Sequence, residues 1–261
     1  MFTQSMHNHT YRCNHACGTE REYVESALKG GMTLLGFSDH GPQCFEGDYY
    51  SGFRMKHEQV QGYFDVAEGL RTEYAGRIEI HAGFELEYYP ALFENTMKLI
   101  SRYPAEYLIM GQHFLLNEVE DIGSMARSTQ EERLKLYVDQ CIEGMSTGMF
   151  AYAAHPDCIR FEGDPDIYEK HIRRFCENAK KYRMPLEINL LGIRTNRHYP
   201  REDFWRIAGE VGNRAVCGSD AHTAEDVFDP LSYEKAHAMA DKYGLKLIAP
   251  ATILKEGNTL K

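Results

Sequence analysis

The residues best equipped for chemistry begin at the start of the chain: His7-Asn8-His9, then His15 in Cys13-Asn14-His15 and His40 in Ser38-Asp39-His40. If residues 4–9 run as a strand, His7 and His9 share one face, because side chains alternate with period 2. Neighbouring neutral imidazoles compete for a proton but suit a metal ion. Farther along stand Gly83-Phe84-Glu85, Gly111-Gln112-His113, His155-Pro156-Asp157 and Gly218-Ser219-Asp220-Ala221-His222. The set His7, His9, His15, His40, Glu85, His113, His155, Asp220 and His222 offers seven imidazoles and two carboxylates without a thiolate. Zinc, manganese and iron suit such donors, and at about four to six ligands per ion the set implies two or three divalent ions. Glu85 and Asp220 are the candidates to bridge ions, since each carboxylate has two oxygens to share. Asp39 stands next to His40, placed to orient it. Cys13 and Cys17 bracket His15 at a spacing that matches no common zinc motif, and they read as packing residues.

The elements that must position these residues alternate. Thr19-Glu20-Arg21-Glu22 reads as a capping box opening a helix that Gly30-Gly31 closes. Buried strands are expected at 33–37, 78–84, 107–110, 150–154, 186–190, 215–219 and 245–248. Helices are expected at about 56–74, 90–102, 129–147 (capped by Thr129), 164–182 (Asp164 as cap, Pro165 in the first turn), 200–211 and 232–243. Strand and helix alternate seven times, which argues for parallel βα units. The metal-binding candidates fall repeatedly at the carboxyl end of a strand, where barrel active sites are built. An open sheet would bring only a few strand ends to one crevice, so the pattern favours closure into a barrel. The other histidines differ: His57, His171 and His237 sit on expected helices facing solvent, His81 lies mid-strand in the core, and His198 is ambiguous.

At 261 residues the chain can bury a large core, and no linker, repeat or low-complexity tract divides it, so residues 1–261 read as one domain. A net charge of −10 argues against nucleic-acid binding through a basic surface. No apolar run approaches the ~20 residues of a membrane span. Seven scattered cysteines fit reduced thiols. With no signal-peptide pattern at Met1-Phe2-Thr3-Gln4, the expected location is the cytoplasm.

The order and spacing of the nine candidates, from His7 to His222, resemble the PHP (polymerase and histidinol phosphatase) superfamily. Within it the chain is similar to the histidinol-phosphate phosphatases of histidine biosynthesis, through Glu187-x-Asn189, Gly192-Ile193-Arg194, Tyr199-Pro200 and Phe204-Trp205. The resemblance implies a distorted TIM-like (β/α)7 barrel with a trinuclear centre. One ion would be held by His7, His9, Glu85 and Asp220; a second by Glu85, His113 and His155; a third by His15, His40 and His222. All nine positions are filled.

A phosphomonoester dianion needs its charge neutralised and a strong nucleophile at neutral pH, and adjacent divalent ions supply both. The expected reaction is hydrolysis of L-histidinol phosphate by in-line attack of a metal-bridging hydroxide, with no phosphoenzyme. Arginine suits the phosphate oxygens. Arg160, five residues after His155, is the first choice and Arg197 the second, the pair to which the resemblance also points; Arg194 competes. Asp157, His198 or water on the third ion would protonate the leaving alcohol. Asn189 and Gln112, with Gln43 behind them, would read the amine and imidazole. The expected partner is thus a small phosphomonoester, with neither nucleic acid nor membrane; a homo-oligomer stays open. The alternatives are a PHP phosphoesterase acting on nucleotides or small phosphodiesters, a non-catalytic metal-binding protein, and an amidohydrolase. The last lacks a Lys at any expected strand end.

Overall fold

A computed structural model describes residues 1–256; the last five residues of the expected 1–261 domain lie outside the described part. In chain order the strands are β1 Gln4–Ser5, β2 Leu34–Phe37, β3 Glu79–Ala82, β4 Phe84–Leu86, β5 Leu108–Met110, β6 Tyr152–Ala153, β7 Leu186–Asn189, β8 Arg214–Gly218 and β9 Lys246–Leu247. The helices between and after them are α1 Glu20–Lys29, α2 Val60–Glu73, α3 Phe93–Ile100, α4 Glu131–Ser146, α5 Pro165–Lys181, α6 Leu190–Arg194, α7 Glu202–Val211, α8 Pro230–Lys242 and α9 Pro250–Glu256. Every pairing is parallel, in the order β1-β2-β3 and β4-β5-β6-β7-β8-β9.

Backbone hydrogen bonds join the two sheets into a ring. β3 and β4 are one stave bent at Gly83: its first half pairs with β2 and its second with β5. Above the bend, Glu85 N donates to Ser38 O (3.1 Å) and Gly41 N to Glu85 O (3.0 Å). On the far side Asp220 N donates to His7 O (2.8 Å) and His9 N to Ala221 O (2.9 Å), tying the end of β8 to the end of β1. The result is the distorted barrel expected from the sequence, an α/β fold of parallel strands.

Alternation then sorts the side chains. Leu35, Phe37, Phe84, Leu86, Leu108, Met110, Leu186, Ile188, Ala215 and Cys217 face outward into the layer shared with the helices. Leu34, Ile109, Tyr152 and Val216, with Met6, fill the floor of the barrel, where Ile253 of α9 packs. One step up each stave the inward positions become polar or glycine. A Cβ on Gly111 would stand 1.8 Å from Glu85 Oε1, and one on Gly218 would stand 1.7 Å from Glu187 Oε1. These glycines therefore clear the space in which buried carboxylates sit, and two residues later the same staves deliver His113 and Asp220.

The helix starts are mostly those expected. Thr19 and Glu22 form the reciprocal capping box of α1, and Asp164 accepts from Asp166 N at the head of α5. The cap of α4 differs: Gln130, not Thr129, is its N-cap, and no side chain bonds there. α6 and α9 were not foreseen, being short and without a periodic pattern. His171 is buried rather than solvent-facing, donating through Nε2 to Glu131 (2.9 Å) between α5 and α4. His81 is half-buried rather than core, because Glu106 accepts from its Nδ1 (2.6 Å) at the barrel's lower rim. No helix among the described residues is long and apolar enough to cross a membrane.

Candidate metal centre

All nine residues expected as ligands meet at the carboxyl-terminal mouth of the barrel. His7 and His9 project to the same side, as their spacing requires, and their Nε2 atoms lie 3.1 Å apart. Glu85 is central. Its Oε2 stands 3.4 Å from His7 Nε2, 3.3 Å from His9 Nε2 and 3.3 Å from His40 Nδ1. Its Oε1 stands 2.8 Å from His155 Nε2 and 3.6 Å from His113 Nε2. Asp220 Oδ1 lies within 3.5 Å of both His7 and His9. Nearer the surface, His15 Nε2 and His222 Nε2 are 3.0 Å apart, and the His40 and His222 rings each lie 4.5 Å from that of His9 between centroids.

The groups behind these rings decide which nitrogen faces inward. His7 Nδ1 donates to Glu187 Oε1 (2.8 Å), His113 Nδ1 to Glu87 Oε1 (2.8 Å), His15 Nδ1 to Cys13 O (2.8 Å) and His222 Nδ1 to Asp220 O (3.1 Å). Carbonyl and carboxylate acceptors assign the ring proton to Nδ1, leaving Nε2 lone pairs aimed at one another. Two such lone pairs 3 Å apart repel unless a cation lies between them. The buried Nδ1 atoms of His9, His40 and His155 also lack a hydrogen-bond partner. This donor set fits divalent cations, in the overlapping groups His7-His9-Asp220, His7-Glu85-His155 and His9-His40-His222.

The electrostatics agree. Burial alone would lower the pKa of His9, yet Asp220 and Glu85 raise it to about 9. Burial would raise Glu85, yet His113, His40 and His7 hold it well below the usual carboxylate range. The inner centre draws positive charge. Farther out, burial and then His9 lower His222 to about 3, while burial lowers His15 and His40, so these rings present neutral lone pairs. Two of the candidate ligands, His155 (φ 28°) and Asp220 (φ 46°), occupy the left-handed region that L side chains rarely adopt.

In the sequence Glu187 counts only as part of the Glu187-x-Asn189 resemblance, with no contact assigned to it. It is fully buried, accepts from His7 Nδ1, His155 N (3.0 Å) and Asn189 Nδ2 (3.1 Å), and so fixes two ligands at once. Its signal was available: a carboxylate at an inward position of an otherwise apolar strand, two residues before Asn189. Glu187→Gln keeps the shape but gives up the anionic acceptor. Metal affinity should fall roughly 10–100-fold, as is typical for partners of ligands, with little change in folding. Competition with a chromophoric chelator measures it.

The expected substrate and proton-transfer residues are redistributed. Arg197 lines the pocket, with Nη1 donating to Tyr199 OH (2.7 Å). Arg160, ranked first from sequence, is instead outside the lining: its Nε donates to Glu162 (2.9 Å) at the rim. Arg194 is occupied by Asp226 and Asp229 (3.0 Å each) and by the Ser219 carbonyl, so it braces the end of β8. Asn189 is fully buried; its amide donates to Glu187 and to Asp220 Oδ2 (3.0 Å) and its oxygen caps α6, which makes it a support for Asp220 rather than a substrate contact. Gln112 is spent on Tyr88 N and Phe114 O, and Gln43 on Glu87 O and Thr96. Asp39 accepts from Thr10 N and Oγ1 (2.7 and 2.6 Å), holding the segment after His9 rather than His40.

Neither side chain expected to protonate the leaving group is placed to do so. Burial pushes Asp157 up to about 6, a value suited to proton transfer. Its carboxylate nevertheless faces α7, accepting from Arg201 N (2.6 Å) and Trp205 Nε1 (2.9 Å), and it does not line the pocket. Asp157→Ala should therefore cost about 1–3 kcal/mol of stability through the orphaned indole and amide, seen in urea denaturation, with a smaller loss of activity than Glu187→Gln. His198 donates through Nε2 to Cys158 O (2.8 Å), while burial and the neighbouring arginines lower its pKa. A neutral imidazole has one N–H, and here it is committed.

The pocket above the centre has a volume of about 490 Å³. Phe53, Phe114, Met125 and Leu191 supply its apolar lining; Phe53 stands edge-on to His40, 5.1 Å between centroids, and stacks on Phe114 at 5.8 Å.

The PHP domain model matches residues 5–190. A Deinococcus radiodurans protein described as a "probable histidinol-phosphatase" is 32% identical over 230 residues, 85% of this chain and 86% of that protein. The histidinol-phosphatase of Bacillus subtilis is 27% identical over 255 residues, 85% of this chain and 94% of its own length. In three dimensions the chain is similar to the histidinol phosphate phosphatase of Lactococcus lactis, solved in complex with zinc, L-histidinol and phosphate. The TM-score is 0.72 at 19% identity, over 94% of this chain and 95% of the other.

Proposed function

The chain belongs to the PHP domain family, and from that premise we propose that it is a metal-dependent phosphomonoesterase that hydrolyses L-histidinol phosphate to L-histidinol and phosphate, a step of histidine biosynthesis. The observation that carries the reading is the convergence of inward lone pairs and two carboxylates on one pocket that also holds a guanidinium, Arg197, and an apolar wall.

We assign His7, His9, Glu85 and Asp220 to one divalent ion, Glu85, His113 and His155 to a second, and His15, His40 and His222 to a third. Such ions supply a nucleophile from water at neutral pH and neutralise the phosphoryl oxygens. Glu85 holds the inner positions together through its two oxygens, and Glu187 and Asn189 keep His7, His155 and Asp220 aimed. Arg197 takes phosphoryl oxygens that face away from the ligands, its planar fork matching two at once. Arg160 contributes from the rim. Phe53, Phe114, Met125 and Leu191 exclude water from one side of the substrate and suit the flat imidazole of histidinol.

The proposal treats the chain as one PHP-type domain that works on a small molecule in the cytoplasm rather than on nucleic acid or a membrane. Seven free cysteines and the net charge of −10 support it. The test is phosphate release from L-histidinol phosphate, a nucleoside monophosphate and an aryl phosphodiester in parallel. A kcat/KM for histidinol phosphate orders of magnitude above the others is expected. A preference for the diester or the nucleotide would overturn the substrate assignment while keeping the metal chemistry.

A further inference from the structure

A second charged cluster lies behind His113, sealed from solvent. Arg54 is fully buried, and its guanidinium donates to Gly41 O (2.9 Å), to Glu87 Oε2 (2.9 Å) and to Glu118 Oε1. The other oxygen of Glu87 accepts from His113 Nδ1 at 2.8 Å. Neither carboxylate is more than 1% exposed. Burying an arginine between carboxylates costs about as much as it returns, and well-packed apolar residues often serve stability as well. A different advantage is visible in what the guanidinium connects.

Three segments meet on this one side chain: the loop after β2, which carries Gly41 and Arg54 itself; the stretch after β4, which carries Glu87; and the stretch after β5, which carries His113 and Glu118. Glu87 has a single hydrogen bond to His113, and a carboxylate so held is free to pivot about it. Arg54 takes the second oxygen and removes that freedom, so the ring of His113 keeps its Nε2 toward Glu85. The guanidinium also stacks over Phe53, 4.5 Å from the ring centroid, and Phe53 in turn stacks on Phe114 in the pocket wall. A lysine would supply the charge but not two separate nitrogens, one (Nη1) on the carbonyl and one (Nη2) on both carboxylates.

We propose that Arg54 is a positioning residue for the metal centre, locking Glu87 against His113 and, through Phe53, setting the aromatic wall of the substrate pocket. This rests on the metal-dependent reading above. Three variants separate positioning from mere charge balance: Arg54→Lys, which keeps the charge and loses the fork; Arg54→Met, which loses both; and Arg54→Met/Glu118→Gln, which removes one buried charge of each sign. Zinc affinity is measured on substrate-free protein by chelator competition, kcat and KM are measured separately, and thermal unfolding identifies the folded variants.

Arg54→Lys and the double variant should fold, bind zinc roughly 10–100-fold more weakly than the parent, and show a raised KM that excess metal does not restore. If Arg54→Met fails to fold, these two still decide the matter. A folded double variant that binds zinc within about twofold of the parent, rather than showing the 10–100-fold loss, would make Arg54 a counter-ion only and overturn the proposal. A parent that binds no divalent ion would overturn the metal-dependent reading itself, and this inference with it.

Discussion

Glu85→Gln should abolish most of the activity and part of the metal binding together. The side chain keeps its size, but one carboxylate oxygen becomes an amide nitrogen among the rings of His7, His9, His40, His113 and His155. Those rings hold Glu85 ionised despite complete burial, so the centre is built around that negative charge. An amide can neither bridge two cations nor balance them. We expect kcat/KM for histidinol phosphate to fall by more than about 10³-fold, roughly 4 kcal/mol of transition-state stabilisation, with at least one ion lost on dialysis. Steady-state kinetics and elemental analysis of the same preparation measure both. Retention of full metal content with only a small kinetic loss would show that Glu85 is a bystander to ions held by the histidines alone.

Arg197→Met should leave metal content unchanged while removing the one guanidinium among the described residues of the pocket lining. By analogy with the loss of a donor to a developing oxyanion, kcat/KM should fall about 10²–10³-fold, shared between KM and kcat because phosphate is held both before and during transfer. Arg197→Lys should recover only part, since a point charge replaces a fork. Arg160→Ala should cost less and act mainly on KM, because Arg160 is held at the rim by Glu162. The opposite ranking would return Arg160 to the first place that its position after His155 suggested.

The convergence of the nine candidate ligands was legible in the sequence because their signal is local. Period 2 places His7 and His9 together, and each βα unit ends at a chemically marked residue, so a parallel barrel brings all of them to one mouth. Glu87, just past β4, has no mark in the sequence beyond its place two residues after Glu85, and Glu187 enters only through the Glu187-x-Asn189 resemblance, because the rings each carboxylate holds come from other staves. The need for Gly111 and Gly218 became visible only once the carboxylates opposite them were in place.

The arginines and the proton donors were the weakest part of the reading, for a physical reason. Arg194 at the end of α6, and Asp157 and His198 in loops, turn to partners distant in sequence, which local spacing does not show. Asp157 turns to Trp205 and Arg201, forty-odd residues on; Arg194 turns to Asp226 and Asp229. His171 reads as a surface residue from its helix alone, and its partner Glu131 lies on another helix.

The most direct measurement is phosphate release from L-histidinol phosphate by protein stripped with a chelator and then titrated with zinc or manganese, with bound metal counted at each point. Negligible turnover is expected in the stripped protein, with activity that rises with occupancy and saturates at about two or three ions per chain, the number nine candidate ligands can hold. Full turnover in the stripped protein, or none at saturation, would contradict the metal-dependent reading.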